Sequence, residues 1–217
     1  MPVPDFAARF GALYTAAIAD VLDGLGLTTQ TLPPAIRPLA PGMRLAGPAF
    51  AVRGRPRPGA PYEASIRRIL ELLGDIPAGH VAVYATGDDT SAQFGELSAT
   101  ALHARGVTGV VLDGGCRDVD FIAGQGFPVF TRFVTPQDSV PRWEPVDWGH
   151  EVTIDEVTVA TGDYVLGDAD GVVVVPAAVT ARVLKAAETV AATEDEVRAA
   201  VRAGLSPLEA YERFGKF

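Results

Sequence analysis

The stretch from Gly95 to Asp118 constrains this chain more than any other. It reads Gly-Glu-Leu-Ser-Ala-Thr-Ala-Leu-His-Ala-Arg-Gly-Val-Thr-Gly-Val-Val-Leu-Asp-Gly-Gly-Cys-Arg-Asp. The spacing predicts a helix over roughly 94–104, a short turn, a buried strand over 107–112 and a charged turn ending on Arg117 and Asp118. A helix that feeds a strand returns the chain across a domain. Glu96, at the start, and Arg117, with 20 residues between them, are therefore brought toward one rim.

The flanking segments extend this into an α/β pattern. Strands are expected at Leu45–Arg53, with Gly47-Pro48 as an edge or bulge, at Val81–Ala85 and at Pro128–Arg132. Tyr62–Leu73 places Ile66, Ile69, Leu70 and Leu73 on one helical face, and Gly74 is its expected stop. Thr86–Ala92 is a polar loop at a strand end, where α/β proteins place ligands. Asp113-Gly114-Gly115 reads as a turn needing positive φ, and Phe121–Gly124 as a short helix. Arg142–Gly149 holds both tryptophans and shows little periodicity. The segments 152–154, 157–159, 164–166 and 172–175 alternate as β-structure, with a hairpin turn at Asp168–Gly171.

Helices bracket this core. Residues 5–10 suit a helical turn, and Thr15 an N-cap for a helix to about Leu22. Gly24–Pro41 is a wandering connection. Pro176 opens a long helix with Val179, Val183, Ala187 and Val190 on one face. Ser206-Pro207-Leu208-Glu209 is a capping box with proline in the first helical position. The expected organisation is one domain over 1–217, with a helical arm over about 4–25, a core over about 44–176 and C-terminal helices over about 177–215. Arms extending beyond a core suit packing on a neighbouring subunit.

Composition narrows the chemistry. A net charge of −9 argues against nucleic acid and anionic membrane as partners. No apolar run approaches the roughly 20 residues that span a bilayer, and Met1–Phe10 lacks the pattern of a secretory leader. Cys116 is the sole cysteine, so a reducing, cytoplasmic setting is expected. His80, His103 and His150 lie at no zinc-site spacing. The two lysines, Lys185 and Lys216, occupy a polar helical slot and the penultimate position, which argues against a Schiff-base amine.

The central stretch holds the parts of a metal and anion site. Asp118 at a sheet rim can ligate a hard divalent cation, and Arg117 offers a planar fork for a carboxylate. The amides of Leu97, Ser98 and Ala99, near the helix start at Gly95 and Glu96, have no intrahelical partner and can cradle an anion. Such a site suits a small, oxygen-rich 2-oxo acid. The same residues have plainer readings. Arg-Asp is commonly a surface ion pair, and a glutamate at a helix start is favoured by the dipole alone. Cys116 reads more simply as a partly buried, inert thiol than as a nucleophile. Asp168, Asp170 and Gly171 lack full EF-hand spacing.

The order Gly95-Glu96-Leu97, about 20 residues, then Asp113-Gly114-Gly115-Cys116-Arg117-Asp118 resembles the RraA-like family. Its enzyme members are class II 4-hydroxy-4-methyl-2-oxoglutarate/4-carboxy-4-hydroxy-2-oxoadipate aldolases. Supporting similarity lies at Thr15–Asp20, Gly47–Phe50, Pro128–Phe130, Gly162–Tyr164 and Asp168–Pro176. The resemblance implies a swivelling β/β/α core, assembled as a homotrimer or hexamer with sites between subunits. It implies a Mg²⁺ or Mn²⁺ ion held directly by Asp118. Glu96 would act through water, as would a glutamate of the neighbouring subunit, Glu194 in the best alignment or Glu196. Arg117 would hold the substrate and stabilise an enolate. Family aldolases often carry aspartate at the Glu96 position and glutamate where this chain has Phe121. The implied reaction cleaves 4-hydroxy-2-oxo di- or tricarboxylic acids to pyruvate, and decarboxylates oxaloacetate through the same enolate. The alternative is a non-catalytic regulator: short family members inhibit a ribonuclease by protein contact and lack the acidic residue that is Glu96 here.

Overall fold

The computed structural model describes residues 6–217. Positions 4 and 5 of the expected N-terminal arm lie outside that range. The chain runs α1 (Phe6–Gly11), α2 (Thr15–Gly24), β1 (Arg37–Pro38), β2 (Leu45–Pro56), α3 (Tyr62–Asp75), β3 (Val81–Ala85), β4 (Ala92–Phe94), α4 (Glu96–Ala104), β5 (Gly109–Cys116) and α5 (Val119–Gln125). It continues through β6 (Val129–Val134), β7 (Trp143–Trp148), β8 (Glu151–Ile154), β9 (Val157–Ala160), β10 (Tyr164–Asp168), β11 (Gly171–Val175), α6 (Thr180–Arg202) and α7 (Pro207–Phe214).

The sheet follows the order β1-β6-β5-β3-β2-β10-β11, with β4 on β5 and β7 on β2. The segment β6-β5-β3-β2 is parallel, as helical crossovers require, and the hairpin β10–β11 joins it antiparallel. The strip curls until its edges approach. Arg37 donates from Nη1 to the Asp170 carbonyl at 2.6 Å, and Thr31 bridges Val173. The result is a nearly closed, barrel-like sheet in a mixed α/β fold.

Side-chain alternation sorts this sheet into two faces, as a period of two demands. Val81, Val83 and Val111 point inward with Ala51, Val165, Val172 and Val174, where the β8–β9 hairpin adds Val152 and Ile154. Ala82, Tyr84, Val110 and Leu112 point outward beneath the crossover helices, meeting Leu72, Leu102 and Ile122. On the hairpin, Tyr164, Leu166, Val173 and Val175 instead receive the arms, through Phe10, Ile18, Leu22 and Leu184. Each large aliphatic side chain buried this way contributes about 1.5–3 kcal/mol.

Several boundaries differ from the sequence reading. Gly114 and Gly115 continue β5 rather than turning, and neither has positive φ. They are needed for close approach: a Cβ on Gly114 would lie 2.5 Å from Gln93 Oε1, and one on Gly115 2.5 Å from the Ser91 carbonyl. The expected turn is displaced to Asp118, whose φ is 59°. Thr15 is the first residue of α2 rather than its cap. Its N–H and Oγ1 donate to the two carboxylate oxygens of Asp168 at 2.8 and 2.7 Å, so the cap comes from 153 residues away. Helix α3 runs through Gly74 to Asp75. Residues 142–149 contain strand β7, whose consecutive buried residues Trp143, Glu144 and Pro145 hide its alternation. Trp143 donates to the Thr86 carbonyl at 2.8 Å and lies over Gly54, where any Cβ would collide with its ring.

Candidate active site

Strand β5 delivers Arg117 and Asp118 to the rim. The Arg117 N–H donates to the Phe94 carbonyl at 3.0 Å, which locks the strand exit against β4. Asp118 then enters the left-handed region, a conformation that Asp tolerates better than most residues, and starts α5. Its carbonyl accepts from Ile122 N–H at 3.1 Å. The kink directs the carboxylate back toward α4. Asp118 Oδ2 accepts from the Glu96 N–H at 3.1 Å and lies 3.5 Å from Arg117 Nε. Gly95 makes this proximity feasible, because a Cβ there would sit 2.7 Å from Asp118 Oδ2 and 3.2 Å from Arg117 Nε.

The α4 terminus supplies the remaining parts. Glu96, Leu97 and Ser98 form its first turn beside the Asp118 carboxylate. Glu96 Oε1 accepts from Thr100 Oγ1 at 2.9 Å and Gln125 Nε2 at 3.2 Å, and Gln125 Nε2 also reaches Thr100 Oγ1 at 2.8 Å. The carboxylate is thus held from two helices. Arg117 Nη1 faces Asp138 Oδ1 at 3.4 Å. No sequence signal marked Gln125 or Asp138, which reach the site only through tertiary packing.

These groups line a cleft of about 550 Å³ bounded by α3, α4, the start of α5 and the 138–140 loop. It brings together Gly95, Glu96, Leu97, Ser98, Arg117 and Asp118. Most of the Thr86–Ala92 loop lies elsewhere; only Ala92 lines the cleft. The rest of that loop braces the strand end. Burial raises the Asp88 carboxyl, but hydrogen bonds from Ser91 and Thr90 outweigh that and hold it below its ordinary value. Gln93 joins Asp88 Oδ2 at 2.7 Å to the Gly115 N–H at 2.9 Å. Cys116 is wholly buried, and desolvation pushes its thiol up to about 12, which removes it as a thiolate nucleophile.

Glu194 is not among the residues lining this cleft. On α6 it accepts from Tyr14 Oη and lies 2.8 Å from Lys216 Nζ. The Lys216 and Tyr14 hydrogen bonds hold its carboxyl below the ordinary value. Burial and the Glu194 hydrogen bond push the Tyr14 phenol up to about 12. Glu196 is solvent-exposed on the same helix. Among the described residues, no three His, Cys, Asp or Glu side chains cluster as a metal site. The exposed Asp118 carboxylate and nearby Glu96 still form an all-oxygen donor set. That set fits a hard cation that retains several waters.

Comparison with known proteins identifies the family and relatives of the same fold. The family model RraA-like (Aldolase/RraA) matches residues 15–174, and the chain belongs to that family. A Halalkalibacterium halodurans protein named "Putative 4-hydroxy-4-methyl-2-oxoglutarate aldolase" is 29% identical over 215 residues, covering 95% of this chain and 93% of its own. The crystal structure of an uncharacterized Pseudomonas syringae protein superposes with a TM-score of 0.85 at 28% identity, covering 96% and 97% of the two chains. Streptomyces coelicolor RraAS2, described as an unusual member of the RNase ES inhibitor RraA protein family, shares the fold with a TM-score of 0.81 at 24% identity, covering 91% and 98%. Among the described residues, no helix is long and apolar enough to cross a membrane.

Proposed function

We propose that this chain is a divalent-metal-dependent C–C lyase. It cleaves 4-hydroxy-2-oxo acids to pyruvate and decarboxylates oxaloacetate. The observation that carries this reading is the Asp118 carboxylate, set between the Glu96 amide and the Arg117 guanidinium in an open cleft. Membership of the RraA-like family and the aldolase name of the Halalkalibacterium relative support it.

Asp118 would hold Mg²⁺ or Mn²⁺ directly, with Glu96, and Glu194 of a neighbouring subunit, acting through water in a homotrimer or hexamer. The chemistry supplied by that cation is polarisation of the 2-oxo group. Arg117 binds the substrate carboxylate and faces the oxygen on which negative charge develops, a contribution of about 10²–10³ in rate for one such donor. Glu96, fixed by Thr100 and Gln125, takes the 4-hydroxyl proton directly or through a water it orients. The C3–C4 bond breaks, its electron pair remains on C3 as the pyruvate enolate, and C4 leaves as a carbonyl. Water returns a proton to C3. Loss of CO₂ from oxaloacetate gives the same enolate, so the same residues serve both reactions.

The test is pyruvate release from oxaloacetate and from 4-hydroxy-4-methyl-2-oxoglutarate, with Mg²⁺ and with a chelator. Release is expected only with the metal. Turnover that survives both chelation and Asp118→Asn would sink the reading. A monomer on gel filtration would contradict the shared site.

A further inference from the structure

Strand β4 is short, yet it sets both ends of one ion pair. Along one edge it pairs with β5, and the Arg117 N–H closes that edge on the Phe94 carbonyl at 3.0 Å. Along the other edge it meets the 137–139 segment. The Ala92 N–H donates to the Gln137 carbonyl at 2.8 Å, and the Ser139 N–H donates to the Ala92 carbonyl at 3.2 Å. Asp138 lies between those two bonds. Its Oδ1 accepts from the Val140 N–H at 3.3 Å, and Arg142 Nη1 donates to its carbonyl at 3.0 Å. The pairing that places Asp138 lies within one chain and needs no neighbouring subunit.

Asp138 Oδ1 is 3.4 Å from Arg117 Nη1, and Asp118 Oδ2 is 3.5 Å from Arg117 Nε. Both exceed the about 2.7–2.9 Å of a close charge-assisted contact, so neither carboxylate takes up the fork at full strength. The Arg117 and Asp138 side chains are 36% and 41% exposed, and such a pair adds little to stability. Its effect is orientation. An arginine has a long stem with much rotamer freedom to lose. A fixed counter-charge at one end of the guanidinium lowers that loss when a ligand binds the rest of the fork. A cation on Asp118 raises the need for such support, because it draws on the carboxylate beside Nε and repels the guanidinium.

We infer that Asp138 is a positioning residue: it holds the Arg117 guanidinium in the cleft, where the fork meets an anionic ligand of the Asp118 site. This rests on the role proposed above for Arg117. It gives Asp138 no contact with the substrate.

Oxalate, a planar dianion with the adjacent oxygens of the pyruvate enolate, is the probe, measured by calorimetry on the assembled protein saturated with Mg²⁺. Asp138→Asn keeps the oxygen that accepts from Val140 and removes the charge. By electrostatics alone, losing a negative charge beside an anion site tightens anion binding. Positioning gives the opposite sign. Oxalate is expected to bind ~10-fold weaker, the scale of loss when a ligating group loses its supporting partner. That loss should disappear in an Arg117→Ala background, since Asp138 acts through Arg117. Equal or tighter binding of oxalate to Asp138→Asn overturns the inference, as does a loss that persists without Arg117. If the natural protein binds no oxalate with Mg²⁺, the metal-site reading falls, and a crystal structure of Asp138→Asn decides the positioning. Arg117 is expected to swing away from the cleft in that variant, and a guanidinium left in place overturns the inference. The expected oxalate pattern, without pyruvate release from any 2-oxo acid, would remove the lyase and keep the role of Asp138.

Discussion

Asp118 and Asp168 are the same residue at two strand exits, and they do opposite things. Asp168 ends β10, is buried, and accepts from Thr15 N–H, Thr15 Oγ1 and Asp170 N–H. Its two oxygens are occupied by protein, and what they accomplish is structural: they close the start of α2 onto the hairpin. Asp118 follows β5, is exposed, and accepts one backbone N–H, from Glu96, beside a guanidinium at 3.5 Å. The chain surrounds Asp118 with a positive helix terminus and an arginine but leaves coordination capacity unused. A carboxylate saturated by its own fold is a cap; one left partly open at a concave rim can take a ligand.

Applying one substitution to both residues breaks the comparison most sharply. Asp118→Asn keeps the tolerance for left-handed backbone. It is expected to lower metal-dependent pyruvate release by at least ~10³, with unfolding free energy within about 0.5 kcal/mol of the natural protein. Arg117→Ala should match it in activity. Full turnover in either variant would remove that residue from the chemistry. Asp168→Asn should do the reverse. It turns an amide donor toward donors of Thr15 or Asp170 and costs about 2 kcal/mol. For a chain of this size that lowers Tm by about 4–8 °C, while kcat at 25 °C stays unchanged. A Tm shift under 1 °C would show that the Thr15 cap contributes little.

Gly95 tests how closely the Asp118 site is built. Its backbone is extended, so alanine meets no φ penalty there. The added Cβ would instead crowd Asp118 Oδ2 at 2.7 Å. Gly95→Ala is expected to reduce kcat/KM by about 10-fold, with thermal stability retained, in keeping with the sensitivity of catalysis to small displacements. No loss of kcat/KM would mean that the carboxylate can move without consequence.

The difference between the two aspartates was only half legible in the sequence. Local rules found β3, the Ser206–Glu209 capping box and the hairpin at Asp168–Gly171, because each is decided by residues a few positions apart. They misread Gly114-Gly115, because glycine serves close approach as well as positive φ, and only the packing of Gln93, Thr86 and Phe133 distinguishes the two uses. They missed Asp168 as the partner of Thr15, and Gln125 as a partner of Glu96, because side-chain hydrogen bonds over 153 and 29 residues leave no periodic trace. The gathering of Gly95, Glu96, Arg117 and Asp118 was legible because a helix–strand return fixes where its ends lie.

The smallest effect concerns Glu194, a carboxylate that resembles Asp168 in being satisfied within its own chain. Its partners, Lys216 and Tyr14, hold its carboxyl below the ordinary value, and the Glu194 hydrogen bond in turn raises Lys216. The signs define a window. A depressed carboxyl contributes stability above its unfolded value and loses it as pH falls through the folded one. A raised ammonium contributes below its unfolded value and loses it as pH rises through the folded one. The pair therefore stabilises the C-terminus between those limits, by about 0.5 kcal/mol given its partial exposure. Lys216→Ala should cost that amount at pH 7. The difference from the natural protein should vanish once Glu194 is protonated, and again once Lys216 is deprotonated. If the variant instead binds Mg²⁺ more tightly in the assembled protein, Lys216 competes with the metal for Glu194, and the carboxylate belongs with Asp118. An unchanged metal affinity, with stability lost only in the middle of the pH range, places it with Asp168.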